Sequence, residues 1–313
     1  MITTDKEFFE NYKLIIKIST AEDKHPGIIG NKNPRNCRFY NHKDNPTTFK
    51  KDAHVVPEGI GNRRLLSYHE CDYCNEYFGN SIEDDFNKYF GPYRTLHQIK
   101  GKKGTPTYQP KKGGDRIEFD AETNSLLASL NFDNIEINEN EKTLKLRTVT
   151  QPFKYINVYK CLLKIALTII PEEELQYLED SLKFLTDEYK YDELFPVNIT
   201  NTGDRGIEHI ELYIFKRKVD DCKTPYYLFI LRFKSIIIQT YLYINSLDVG
   251  NKLTTYFLKE VARADYSKAT RLNLNMNNYD IRTDVNVSNF SFNSSKDLPE
   301  FIEEKIKKFN KRT

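Results

Sequence analysis

Apolar residues recur at a helical period in the middle of the chain. In YINVYKCLLKIALTII, residues Ile156, Val158, Cys161, Leu162, Ile165 and Ala166 fall on one face of a helix. PEEELQYLEDSLKFL follows and opens with proline and three acids, the composition a first helical turn favours. On either side the period shortens to two. IEINENEKTLKLRTV lies in a strand region predicted from Arg116 to Val149, and YYLFILRF with SIIIQTYLYI marks more strands within 208–246. LPEFIEEKIKKFNKR predicts a closing helix over 298–312, and Asp5–Ile18 has helical or mixed character. Between residues 36 and 90 the pattern is tighter: a cysteine-bearing turn, a short strand at His54–Val56, a turn, and a helix from about Cys74 to Phe90. KGKKGTPTYQPKKGGD, residues 100–115, is rich in Gly, Pro and Lys and has the composition of a linker. These elements predict an α+β protein divided into 1–113 and 114–313, the second part being a mixed α+β domain.

Composition narrows the class. Hydrophobic residues make up 39% and charged residues 29%, enough for a packed core and too much order for general disorder. No apolar run approaches the roughly 20 residues of a membrane span. The opening MITTDKEFFENYK carries acids where a secretory leader would be apolar. Five cysteines, an odd number in a chain of this length, argue against a disulfide framework, so a cytoplasmic location is expected. The net charge of +2 hides an asymmetry. The first 113 residues carry 19 Lys and Arg against 14 Asp and Glu, so they are net positive and the remainder net negative. That suits a polyanionic partner for the first part.

The chemistry concentrates in 37–83. Cys37 and the Cys71-x-x-Cys74 pair supply three thiols, and structural zinc wants four ligands in a tetrahedron. His42 or His69 would supply the fourth; otherwise the thiols are small buried hydrophobes. His54 precedes Val-Val-Pro on the predicted strand, and Asn75 follows Cys74 on the predicted helix. An imidazole on a strand facing a metal ligand on a helix suits phosphodiester hydrolysis, in which the base deprotonates water and a divalent cation stabilises the phosphate. Arg63 and Arg64 follow the turn, and Lys100, Lys102 and Lys103 lie in the basic stretch. Such side chains neutralise phosphates without reading bases, although a solvated loop has the same composition. Lys160 and Lys164, four residues apart on the first predicted helix, are expected on a solvated face or on a surface meeting a ligand or DNA.

The segment resembles the HNH endonucleases, also called ββα-metal or His-Me finger nucleases, in the branch with the pattern EHxxP…GN…CxxCNxxFGxxIE. The matching residues are His54, Pro57, Gly61, Asn62, Cys71, Cys74, Asn75, Phe78, Gly79, Ile82 and Glu83. The resemblance implies a zinc-braced nuclease module with His54 as general base, oriented by Asn62. It implies Asn75 as a ligand of a catalytic Mg²⁺ or Mn²⁺, and structural Zn²⁺ on Cys37, Cys71 and Cys74 with His42. Ala53 stands where many relatives carry an acidic metal ligand. Asp52 or Glu83 would substitute, or water and phosphate would complete the shell.

The function expected from all this is a metal-dependent endonuclease acting on DNA, double-stranded by preference, in the setting of bacterial defence. The alternative is a catalytically silent, zinc-stabilised nucleic-acid-binding or adaptor protein. The second part would then provide a homodimer contact or a site for a regulatory protein or ligand.

Overall fold

The computed structural model describes residues 5–21, 27–39, 47–101, 104–111, 114–138, 140, 143–187, 195–202, 206–218, 224–249, 270–275 and 284–291. His42, Lys102, Lys103 and the closing helix expected at 298–312 lie outside the described residues. Helix α1 (Asp5–Asn11) leads directly into β1 (Tyr12–Ser19). Three two-residue strands follow, β2 (Ile28–Ile29), β3 (Ala53–His54) and β4 (Leu66–Ser67). Then come α2 (Asp72–Asn80), α3 (Ile82–Tyr89) and α4 (Gly91–Leu96). Strands β5 (Arg116–Asp120), β6 (Ser125–Ser129), β7 (Ile135–Asn138) and β8 (Thr143–Val149) precede α5 (Tyr155–Ile169) and α6 (Glu179–Leu185). The later described strands are β9 (Pro196–Asn201), β10 (Ile207–Arg217), β11 (Tyr227–Lys234), β12 (Ile236–Tyr241), β13 (Thr270–Asn275) and β14 (Asp284–Ser291).

The chain folds as two compact units, and neither is a continuous stretch of sequence. One holds residues 1–58, 62–86 and 154–279; the other holds 59–61, 87–153 and 280–313. The division therefore departs from the cut near residue 113 that the lysine-rich stretch predicts: α5, α6 and the strands from β9 to β13 share a unit with the cysteine and histidine segment.

In the first unit an antiparallel sheet runs β1-β10-β11-β12-β9-β13. Every residue of β12 is buried, and only Arg232 and Lys234 of β11 are partly exposed. Such continuous apolar runs mark central strands covered on both faces. Phe8, Tyr12, Phe215, Leu228, Ile230, Ile237 and Tyr241 form one core cluster on this sheet. Phe8 stacks on Tyr12 at 5.0 Å between ring centres and meets Phe215 edge-on at 5.2 Å. Burying each of these side chains is worth about 1.5–3 kcal/mol, which ties α1 and β1 to strands two hundred residues away.

Helix α5 is buried on every side; of its fifteen residues only Asn157 is not. An all-round apolar helix belongs in a core. Tyr159 stacks on Phe195 at 4.4 Å and donates to Tyr241 O at the end of β12. The solvated face expected for Lys160 and Lys164 is overturned, since they are 4% and 0% exposed. Carboxylates from elsewhere in the unit meet both ammonium groups; burial still pulls the Lys160 pKa down, whereas two carboxylates hold that of Lys164 up.

The helix expected from Cys74 to Phe90 is two helices, α2 and α3, broken at Ser81. Ser81 has φ −122° and ψ −87°, and its hydroxyl donates to Tyr77 O at 2.6 Å, capping the last turn of α2. Gly79 and Asn80 just before it are poor helix formers, so the break costs little. In the second unit the strands predicted over 116–149 appear as β5–β8. β5 pairs with β6, and a second small sheet runs β14-β8-β7. Among the described residues no helix is long and apolar enough to cross a membrane.

Candidate metal centre and active site

Three thiols converge where two loops meet the start of α2. Cys71 is the N-cap of α2, with extended backbone, and its carbonyl takes the first helical bond from Asn75 N at 2.9 Å. One turn on, Cys74 faces the same way. Cys37 arrives on a separate loop, held by the bond from Arg38 N to His69 O at 2.8 Å. The three sulfurs lie within 4.8 Å of one another, with Cys37 Sγ and Cys74 Sγ 3.7 Å apart. Zinc bonds of about 2.3 Å in a tetrahedron put sulfurs about 3.8 Å apart, so the cluster fits such an ion and could hold it. The charge distribution agrees. Sharing a hydrogen bond with Cys74 pushes the Cys37 thiol down to about 6, despite burial. The Cys71 N–H also donates to Cys37 Sγ at 3.4 Å. Cys74 is pushed strongly up by the same shared bond, and Cys71 is pushed up by burial. One thiolate is thus already favoured, and a divalent cation would replace the protons that the other two share. His69 is not part of the cluster; its ring lies against Gly30, where a Cβ would come within 2.8 Å of it.

Next to this cluster, β3 and β4 pair antiparallel, with Ala53 opposite Ser67 and His54 opposite Leu66, and β4 pairs parallel with β2. Together with α2 they form a ββα unit. The connection from β3 to β4 includes Gly61 at φ +97°, a conformation glycine adopts without strain. Asn62, 1% exposed, braces this connection. Its amide donates to Val56 O and Leu65 O at 2.8 and 2.9 Å, and its oxygen accepts from Arg64 N and Leu65 N. Asp72 in the first turn of α2 joins the chain entering β3 to the helix. Its carboxylate accepts from Thr48 Oγ1, Lys50 N and Lys51 N at 2.6, 3.0 and 2.9 Å. Below, Ala53, Val55, Val56 and Phe78 are fully buried, and Phe39 meets Phe78 edge-on at 5.2 Å. Strand, helix and cysteine loop therefore share one small core.

His54 is partly exposed, and its Nε2 lies 3.5 Å from Glu58 Oε1. Its backbone carbonyl accepts a 2.9 Å bond from Lys164 Nζ of α5. The same ammonium donates to Glu83 Oε1 at 3.0 Å and lies 2.9 Å from Glu70 Oε2. The Glu70 contact is a charge contact outside directed hydrogen-bond geometry, and Glu70 Oε1 is buried without a hydrogen-bond partner. Burial pushes the Glu70 carboxyl up to about 7, against the pull of Lys164. Lys164 itself is held above the ordinary lysine range, because the two carboxylates outweigh its burial.

The structure brings Cys37, Cys71 and Cys74 together, and it sets His54 and Asn75 on the strand and helix of one ββα unit. Asn75 is half-buried on α2. Asp52 is exposed and lies 3.7 Å from Arg35, itself stacked on Tyr68. Glu83 sits beyond the Ser81 break, so it does not share a helix face with Asn75; one of its oxygens is taken by Lys164. Arg63, Arg64 and Lys100 are exposed. Among the described residues the three cysteines form the one cluster of three or more His, Cys, Asp or Glu able to hold a metal ion. Sequence reasoning missed Glu58, four residues after His54, and the buried Glu70. A lysine inside an apolar helical run was the available signal for Lys164.

Comparison with known proteins adds one match: the family model for HNH endonucleases aligns with residues 37–91. No curated protein and no solved structure matches the chain. The matched stretch spans Cys37, β3, β4, α2 and α3, so residues 37–91 are similar to the HNH endonuclease family.

Proposed function

We propose that the chain is a metal-dependent endonuclease that hydrolyses DNA phosphodiester bonds, with His54 as general base. The observation that supports this reading is the placement of His54 on β3 and Asn75 on α2, in one ββα unit beside the three-thiol cluster. The imidazole is partly open to solvent, as a base that takes a proton from water must be, and its Nε2 lies 3.5 Å from Glu58 Oε1. A divalent cation, when bound, would stabilise the scissile phosphate and the leaving oxygen. The donors present are sparse, the Asn75 amide with carboxylates that already have cationic partners. That suits Mg²⁺ or Mn²⁺, which keep most of their water. Asn62 holds the connection behind His54, Cys37, Cys71 and Cys74 hold zinc, and Arg63 and Arg64 meet phosphates.

The test is nicking of supercoiled plasmid by the full chain with Mg²⁺ or Mn²⁺, beside His54→Ala and Asn75→Ala. Loss of general-base catalysis lowers the rate by about 10²–10⁴-fold. Equal cleavage by wild type and His54→Ala, at equal zinc content, removes His54 from the mechanism.

A further inference from the structure

Helix α5 is fastened to the ββα segment by polar contacts at four levels. Asn157 donates to Asp85 Oδ2 at 2.7 Å. Lys160 pairs with Asp187, whose other oxygen accepts from Tyr77 of α2 at 2.5 Å. Lys164 meets His54 O, Glu83 and Glu70. At the end of the helix, Arg38 donates to the carbonyls of Leu167, Thr168 and Ile170. Of these, Lys164 alone touches the backbone of the residue that carries the chemistry.

That contact matters because β3 is so short. Two residue pairs, Ala53 with Ser67 and His54 with Leu66, define its register. Asp72 and Asn62 hold the chain on either side of this short strand, and Lys164 adds the restraint that acts on His54 itself. The Lys164 ammonium has three protons and three oxygens around it, all from elements of the ββα segment or the helix after it. A buried ionic group of this kind adds little net stability compared with apolar packing, but it is selective for one geometry. We propose that Lys164 is a positioning residue of the His54 centre: it fixes the backbone of His54 and the carboxylate of Glu83 relative to α2, so that the imidazole is held where it takes a proton from water. The inference rests on the nuclease reading above for its catalytic consequence, and on the contacts alone for the placement of the ring.

The experiment uses the full chain with zinc bound and Mg²⁺ added. Lys164→Met leaves Glu70 and Glu83 without their cation and is exposed to misfolding. The double variant Lys164→Met with Glu70→Gln removes the fully buried one of the two stranded charges and leaves only the partly exposed Glu83 carboxylate, and it is the decisive protein. Urea unfolding and zinc content establish that it is folded. Two readouts follow: kcat and KM for cleavage of a duplex, and the ring cross-peaks of His54 in ¹⁵N-histidine NMR, assigned by their loss in His54→Ala. A displacement of the base by a fraction of an ångström to 1 Å lowers kcat by about 30- to 100-fold with KM within about threefold of wild type, since ground-state phosphate contacts are untouched. The His54 peaks move while those of His209 on β10 stay. In a wild type that cleaves through His54, both readouts must change. Wild-type kcat in the folded double variant overturns the proposal, and so does a fall in kcat with unmoved His54 peaks. If the wild type cuts nothing, the nuclease reading falls, and the NMR arm alone decides whether Lys164 places the ring.

Discussion

Arg38 tests whether α5 belongs with the cysteine and histidine segment. Its Nη1 donates to Leu167 O at 2.9 Å, Thr168 O at 3.1 Å and Ile170 O at 2.8 Å, and its Nη2 donates to Glu172 Oε2 at 2.9 Å. The arginine side chain is 8% exposed, and Glu172 is 76% exposed. The last carbonyls of a helix have no partner within it, and a cation there also meets the negative end of the helix dipole. Here the residues that carry those carbonyls are buried, at 0%, 0% and 1%, so water cannot readily replace the guanidinium. Arg38→Met keeps the stem packed and removes the single Nη1 group that all three carbonyls share. Each stranded acceptor costs about 1–3 kcal/mol, and because one group serves all three the losses do not add fully, giving about 3–5 kcal/mol in total. Glu172→Ala removes only an exposed partner and costs well under about 1 kcal/mol. Arg38→Lys reaches one carbonyl or two and falls between. Urea unfolding of the four proteins, followed by tyrosine fluorescence at constant zinc, gives the order directly. A loss below about 1 kcal/mol for Arg38→Met, or one equal to that of Glu172→Ala, would refute the view that these carbonyls depend on the guanidinium.

Two further outcomes follow from the same unit. The purified chain should release about one zinc per molecule when its thiols are blocked, and Cys37→Ser or Cys71→Ser should lower that content together with the thermal midpoint; unchanged zinc in both variants would dismiss the three-thiol site. Glu70 carries a pH signature. Its folded value of about 7 lies above the ordinary 4.5, so between those values the folded chain keeps a proton that the unfolded chain has lost. Stability therefore falls as pH rises through this window, by up to about 3 kcal/mol, and none of the penalty is present below 4.5. Glu70→Gln should flatten the slope between pH 5 and pH 8, and parallel slopes for variant and wild type would contradict the assignment.

The parts of the site that lie close together in sequence were legible. His54 before Val-Val-Pro, the Gly61-Asn62 turn and Cys71-x-x-Cys74-Asn75 occupy the strand, connection and helix that their spacing predicts. The Ser81 break was harder, because the residues after it continue an amphipathic pattern and the bonds from Ser81 to Tyr77 O and Phe78 O that end α2 leave no strong mark in the sequence. Lys160 and Lys164 misled for a different reason. A lysine pair at i and i+4 has the same spacing on a solvated helix as on a buried one. Its partners, Asp187, Glu70 and Glu83, lie 27 to 94 residues away and carry no local mark. The same distance hides the division into units: a lysine-rich stretch reads as a linker whether or not the chain returns to its starting point afterwards.

The four-level fastening along α5 has a consequence for how the protein comes into being. A ribosome delivers residues 37–91 long before residues 155–169, so during synthesis the acid at position 70 waits without its cation and the last-turn carbonyls that Arg38 will cap do not yet exist. A nascent or transplanted copy that ends before position 170 would lack the helix whose Lys164 meets the His54 carbonyl. These partners reach the segment only once α5 has been made.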